Sequence, residues 1–268
     1  MKQIFEIGDG ALLGLAPAKL NVTLSIGKLD STTGYHYVSS IMQSVSLFDY
    51  VTFVKSEDTQ IYGSQIDGNI VESTLEKLSS HTGKRINAKI ICHKVIPSAA
   101  GMGGGSSDAA MVLNLANIAY GLNMTQDELQ EVAQSIGNDV AFLVNGGRAK
   151  VEGSKKHTIT DMDVPELHYL IAHPRMEMST REMYAEFDRS GRSFAEIAGE
   201  RCPDISRLLG DISAGSEEHG MTGKGPTVFA GYKSYEIAAA AARKILGWFK
   251  GDTFIASSLP RIDPRIKA

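Results

Sequence analysis

Apolar and polar positions alternate through the first third of the chain. In "GLAPAKLNVTLSIGKL", Leu20, Val22, Leu24 and Ile26 fall on every second residue, the spacing that lines one face of a strand. "SSIMQSVSLFDYVTFVKS" holds a further pair of alternating runs, and "RINAKIICHKVI" alternates through Ile86, Ala88, Ile90 and Cys92. Between them, Ile70, Val71, Leu75 and Leu78 recur at helical spacing, so "GNIVESTLEKLSSHTG" is expected to be a helix.

The period turns helical again after a glycine-rich loop. Ala110, Leu113, Ala116 and the run from Ile118 to Tyr120 form one face, and Gly121 supplies a stop. The next helix is announced by Thr125 and Glu128, a T-x-x-E capping box, with Met124 and Leu129 placed as the hydrophobic staple. Leu129, Val132, Ala133 and Ile136 make its face, and Gly137 ends it. "NDVAFLVNGGRAKVEG" then reads as a short apolar strand closed by a Gly-Gly turn. The polar stretch "SKKHTITDMDVPE" breaks the pattern. After it, "LHYLIAHP" and "PTVFAGY" read as strands and "SYEIAAAAARKILGWF" as a helix, followed by "DTFIASSL". This order suggests a second unit of strands and helices, with the division expected near 155–162.

Composition narrows the function classes. The 268 residues carry 27 Lys and Arg against 31 Asp and Glu, a net charge of −4, so no basic footprint for nucleic acid is expected. The two cysteines, Cys92 and Cys202, match no metal-ligand spacing and form no disulfide framework, which fits a reducing compartment. The opening "MKQIFEIGDG" lacks the basic and apolar regions of a signal peptide, and no apolar run reaches the ~18 residues of a membrane span. A cytoplasmic protein without membrane or nucleic-acid partners is expected.

The chemistry concentrates in "VIPSAAGMGGGSSDAAMVLNLANIA", where four glycines occupy five positions between a strand and a helix. A glycine turn of purely structural use is one reading. The other is an anion site: unsatisfied N–H groups at a helix N-terminus attract phosphate, glycines let amides curl around it, and serines add donors. The P-loop pattern is absent, because Lys224 in "TGKGP" is followed by glycine, and Gly101, Gly103 and Gly105 lack dinucleotide-fingerprint spacing.

"PSAAGMGGGSSDAA" resembles the ATP-binding motif of the GHMP small-molecule kinases. "APAKLNVTL" (16–24) resembles the N-terminal motif of that family and "MTGKGPTVFA" (221–230) its C-terminal glycine motif, in the same order. The resemblance implies an α+β fold of two domains. An N-terminal α/β ATP-binding domain would span 1–157, and a ferredoxin-like C-terminal domain 158–268. It implies ATP with Mg²⁺, held by Pro97, Ala100, Gly101, Met102, Gly103, Gly104, Gly105, Ser106 and Ser107, with Gly223 and Gly225. Ser107 is the hydroxyl expected nearest the phosphates or metal, and Asn69 and Lys94 are expected near the nucleotide. Asp139 corresponds to the family's catalytic aspartate and Lys19 to its catalytic lysine. "TGYHYVSSIMQSVSLFDYVTF", "IGNDVAFLVNGG" and "LIAHPRMEMSTREMY" are similar to the branch whose acceptor is a cytidine diphosphate-linked sugar alcohol. For that acceptor the resemblance points to Asn21, Tyr35, His36, Thr180 and Tyr184.

Single residues keep simpler readings: Asp139 as a cap of the next segment, Lys19 as a solvated strand charge, Tyr184 as core. Thr33 stands where the family usually has aspartate, Lys224 where it has a small hydroxyl residue, and the stretch from 185 to 220 is short. The alternatives are a related kinase with another alcohol or phosphomonoester acceptor, and a non-catalytic nucleotide-binding module. Lys19 and Asp139 together favour catalysis, since a binding module needs neither.

Overall fold

A computed structural model describes residues 2–63 and 68–263. Its first sheet is built on a long hairpin. β1 (Ile4–Gly8) pairs with β2 (Ala11–Asp30), and β2 with β3 (Tyr35–Lys55); β2 and β3 are far longer than the usual five or six residues. Register shifts at Pro17/Ala18, Asn21/Thr23 and Ile26/Leu29 bend the pair. The bend divides the other edge of β3 between two partners. After β4 (Gln60–Tyr62) and α1 (Gly68–Thr82), β5 (Ala88–His93) pairs with Tyr50–Lys55. The chain then runs through α2 (Gly104–Ala119), α3 (Gln126–Gln134) and α4 (Asn138–Asn145) to β6 (Arg148–Gly153), which pairs with Val38–Gln43. The two alternating runs of "SSIMQSVSLFDYVTFVKS" are thus two parts of one strand.

Alternation in β5 is literal: Ala88, Ile90 and Cys92 are buried, and Lys89, Ile91 and His93 face out. The inner face packs on α2, whose Met111, Val112, Leu113 and Leu115 meet Leu12, Ala16, Val51 and Phe53. The approach is so close that a Cβ on Gly14 would lie 2.4 Å from the Met111 side chain. At α3 the predicted capping box is present in both directions, Glu128 N–H to Thr125 Oγ1 and Thr125 N–H to Glu128 Oε2.

One expectation is overturned. "NDVAFLV" is the helix α4, not a strand. It packs against α2 and α3, and all six residues from Val140 to Asn145 are buried. From Val140 to Asn145 the helix is enclosed on every side and has no polar face, so its short apolar run carries no helical period.

β7 (His157–Met162) pairs with β6 and extends the first sheet past the expected division at 157/158. The second sheet has the order β11-β8-β10-β9. It contains β8 (His168–His173), then α5 (Thr180–Ser190), α6 (Phe194–Arg201) and α7 (Pro203–Ser213), then β9 (Glu218–Met221), β10 (Val228–Tyr232), α8 (Tyr235–Leu246) and β11 (Asp252–Ser257). Every pairing is antiparallel, giving the β-α-β-β-α-β order of a ferredoxin-like unit. Ala18, Leu20, Val45 and Leu47 of the first sheet share a core with Tyr169, Ile171, Phe229 and Ala256 of the second. Arg148 adds a bidentate pair to Glu218 at 2.8 and 3.1 Å. No helix among the described residues is long and apolar enough to cross a membrane.

Candidate active site

The glycine loop connects β5 to the start of α2, and both of its ends are tied down. At its entry the buried Asp49 carboxylate accepts from Val95 N–H at 2.6 Å and Ile96 N–H at 2.9 Å. Its other oxygen accepts from Lys94 Nζ at 2.5 Å, and the same ammonium reaches Asp108 Oδ2 of α2 at 2.5 Å. One lysine therefore joins the strand before the loop to the helix after it. Burial works against the Lys94 charge, but Asp108 and Asp49 together outweigh it and hold the ammonium above its ordinary value. For Asp108 burial prevails over Lys94 and pushes the carboxyl up to about 6.

At its far end the loop leans on two other segments. Lys19 N–H donates to Met102 O at 3.0 Å, and Thr222 Oγ1 donates to Gly101 O at 3.1 Å. Gly101 has φ of 78°, and a Cβ there would sit 2.4 Å from Thr222 O. Gly101→Ala should therefore displace the loop from the Thr222 turn and raise KM for the ATP that the resemblance implies on the order of 10-fold, with a loss of about 1–3 kcal/mol from the strained backbone. Steady-state kinetics and urea unfolding check both figures.

Lys19 and Asp139 stand together at the head of the loop. Lys19 is 4% exposed, and its Nζ donates to Asn21 Oδ1 at 2.5 Å and lies 3.5 Å from Asp139 Oδ2. Asn21 is held in turn, donating from Nδ2 to Ser40 Oγ at 2.8 Å and from its backbone N–H to Thr222 Oγ1 at 3.0 Å. Asp139 is not the cap of α4. Gly137 holds that position without a side-chain bond, and Asp139 sits in the first turn with its carboxylate 37% exposed.

These groups share one cavity of ≈ 890 Å³. Lys19, Asn21, Lys94, Pro97, Ala100, Gly101, Gly103, Gly104, Gly105, Ser106, Asp139, Thr180, Tyr184 and Gly223 all line it. Five expected residues do not. Ser107 is buried and donates its hydroxyl to Pro17 O at 2.7 Å, so Ser106 is the loop serine on the cavity. Met102 is packed beneath the loop in the shared core. Gly225 lies behind the wall with its N–H on Thr222 O, and Tyr35 projects from the β2–β3 tip, 53% exposed. His36 is buried behind Tyr184, its ring stacked at 5.1 Å between centroids, with Nδ1 2.9 Å from Gly27 O and Nε2 3.3 Å from Asp188 Oδ1. Asn69 opens α1, and its side chain falls outside the described residues.

Several contributors are not singled out by the sequence motifs. Phe194 lines the cavity and meets the Tyr184 ring edge-on at 5.0 Å, and Phe187 packs against both His36 and Phe194. A signal existed for Phe194: Ser193 and Glu196 form a capping box that starts α6 on it. His157 also lines the cavity. Burial holds His157 below its ordinary value, with Asp139 pulling the other way, and burial does the same to His173. Both imidazoles therefore favour the neutral form in the folded state. Above about pH 6.5 neither state is protonated and their contribution is intact; as pH falls below that, the unfolded chain takes up protons first and stability drops. Unfolding measured from pH 7.5 to 5 should show this fall, and a His157→Gln, His173→Asn double variant should flatten it.

A glycine loop opening a helix, next to a lysine–carboxylate pair in a cavity between two sheets, is the arrangement of a small-molecule kinase. Residues 69–150 match the domain described as GHMP kinases N terminal domain. A 4-diphosphocytidyl-2-C-methyl-D-erythritol kinase of Caldicellulosiruptor saccharolyticus is 32% identical over 88% of this chain and 93% of its own length. The enzyme of the same name from Caldanaerobacter subterraneus subsp. tengcongensis is 29% identical over 87% of this chain and 92% of that relative. Among solved structures, a 4-(cytidine 5'-diphospho)-2C-methyl-D-erythritol kinase superposes with a TM-score of 0.76 at 23% identity, covering 92% of this chain and 98% of that one. A homoserine kinase from Cytophaga hutchinsonii reaches 0.74 at 16% identity, over 97% and 98%. The fold is that of the GHMP kinases, which are ATP-dependent small-molecule kinases. Within them, the chain belongs to the 4-diphosphocytidyl-2-C-methyl-D-erythritol kinase family.

Proposed function

We propose that the protein transfers the terminal phosphoryl group of ATP to a hydroxyl of 4-diphosphocytidyl-2-C-methyl-D-erythritol, a step of the non-mevalonate isoprenoid pathway. The observation that carries this reading is the Lys19–Asp139 pair, 3.5 Å apart, on a cavity wall that runs from the glycine loop to the Tyr184 ring. Amides of the loop, from Gly101 to Ser106, hold the phosphates at the N-terminus of α2. Asp139 accepts or orients the proton of the acceptor hydroxyl, and the fixed ammonium of Lys19 stabilises charge during transfer. Tyr184, backed by His36 and edged by Phe194, offers an aromatic face to the cytosine, and Thr180 offers a hydroxyl beside it. The active site then lies in the cleft between the N-terminal and C-terminal units, the glycine loop, Asn21 and Asp139 coming from the first and Thr180, Tyr184 and Gly223 from the second.

Mg²⁺ fits the site as a passenger of the nucleotide. Among the described residues no group of three or more His, Cys, Asp or Glu side chains forms a metal centre. Mg²⁺ commonly takes one or two protein oxygens and the rest from phosphate and water, and the Ser106 hydroxyl on the cavity is the group that would supply one. When bound, it neutralises charge on the transferring group. A cytoplasmic location accords with the free thiols of Cys92 and Cys202.

The test is ADP release by the purified chain with the cytidyl diphosphate acceptor, homoserine, mevalonate and galactose in parallel. Turnover confined to the first is expected. Turnover with another alcohol would move the protein to a different acceptor, and ATP binding without turnover on any would make it a binding module.

A further inference from the structure

Three lysines line the cavity, and two of them are already neutralised. Lys19 Nζ is held by Asn21 and Asp139, and Lys94 Nζ by Asp49 and Asp108. Lys224 has no hydrogen-bond or ion-pair partner among the described residues. Nor is its backbone free to wander. It occupies the third position of a turn closed by Gly225 N–H on Thr222 O at 3.0 Å, between Gly223 at φ 58° and Gly225 at φ 82°. Thr222 anchors the turn from a fully buried position, donating to Gly101 O and accepting from Asn21 N–H. A Cβ on Gly223 would lie 3.2 Å from Gly101 O and 3.6 Å from Lys19 Nζ. The turn is therefore clamped against the glycine loop on one side and the reacting pair on the other.

We propose that Lys224 is a further catalytic residue, whose ammonium contacts the terminal phosphate of the nucleotide and stabilises the charge that develops there during transfer. The inference rests on the kinase reading. In the reaction the bond from the terminal phosphorus to its bridging oxygen breaks, leaving that oxygen's electron pair on ADP. The acceptor oxygen forms the new bond, and its proton passes to Asp139. Lys224 keeps its proton throughout and acts by charge alone, as a positioned cation does in phosphoryl transfer. A lysine at this place is suited to the task because no carboxylate competes for it, whereas the Lys94 charge is committed twice over.

Lys224→Gln, Lys224→Ser and Lys224→Arg decide the matter in the full chain. The first two should lower kcat on the order of 10²-fold. KM for the acceptor and the thermal midpoint should stay unchanged, and the arginine variant should recover most of the rate. By calorimetry, Lys224→Gln should weaken binding of a non-hydrolysable ATP analogue far more than binding of ADP. A kcat within twofold of the parent, or equal weakening of ADP and analogue, would overturn the proposal and leave Lys224 a solvated charge. A change confined to KM for the acceptor would overturn it in favour of the acceptor's own diphosphate. If the parent protein turns over no acceptor, the kinase reading fails, and the comparison of analogue with ADP still decides whether Lys224 meets a terminal phosphate.

Discussion

Asp139→Asn should abolish ATP-dependent ADP release while leaving the protein folded. The amide keeps the size of the carboxylate but cannot accept the hydroxyl proton, and loss of a positioned base lowers rates about 10²- to 10⁴-fold. Little stability depends on the charge. The side chain is over one-third exposed, its ion pair to Lys19 spans 3.5 Å, and it caps no helix. An exposed pair contributes roughly 0–1 kcal/mol, and because Lys19 itself is buried the loss should fall at the upper end of that range or slightly above it. Lys19 retains Asn21 as a partner, so the variant leaves no buried ammonium unpaired. ADP release and the thermal midpoint, read on the same sample, separate the two effects. Turnover near that of the parent would remove Asp139 from the catalytic role proposed for it.

Asp49→Ala is expected to have the largest effect on stability. Asp49 is fully buried and satisfies Lys94 Nζ, Val95 N–H and Ile96 N–H together. Alanine strips all three at once. Lys94 keeps only Asp108, and two backbone donors are left without their acceptor in a place shielded from water. Breaking a buried ion pair from one side costs about 3–5 kcal/mol, a large part of the 5–15 kcal/mol that holds a typical domain. Asp49→Asn should fall between, because its carbonyl still serves the two amides while its NH₂ opposes Lys94. The loss should also be felt at the loop, as a rise in KM for ATP exceeding any change in KM for the acceptor. Urea unfolding measures the first effect and steady-state kinetics the second. A loss below about 1 kcal/mol for the alanine variant would mean that water or a shifted Lys94 replaces the carboxylate, and that the clamp is not what holds the loop.

The contrast between these two aspartates shows how far the sequence can be read. Asp139 lies in a segment whose resemblance to a known motif is visible in the order of residues alone. Asp49 sits in the middle of an alternating strand, where one buried carboxylate among apolar neighbours is indistinguishable from a turn residue. Its meaning appears only when β3 and β5 pair and bring it beneath the loop. The same holds for the aromatic group. Tyr35, His36 and Tyr184 all follow from the resemblance, yet in the structure Tyr35 points away and His36 supports Tyr184 from behind. Phe187 and Phe194 complete the cluster from helices whose caps were present in the sequence but whose packing was not.

Features that depend on neighbours along the chain are legible in its residues. Alternation marked the strands that bury one face, the Thr125–Glu128 box marked the start of α3, and four glycines before Ser106 marked a loop that amides can line. Three-dimensional packing settled the rest. It made a helix of "NDVAFLV", because an element buried on all sides loses its period. It replaced Ser107 with Ser106 on the cavity wall, because only packing tells which of two adjacent hydroxyls turns inward. It also set Lys224 apart from Lys19 and Lys94, because whether a charge is neutralised depends on carboxylates brought from distant strands and helices.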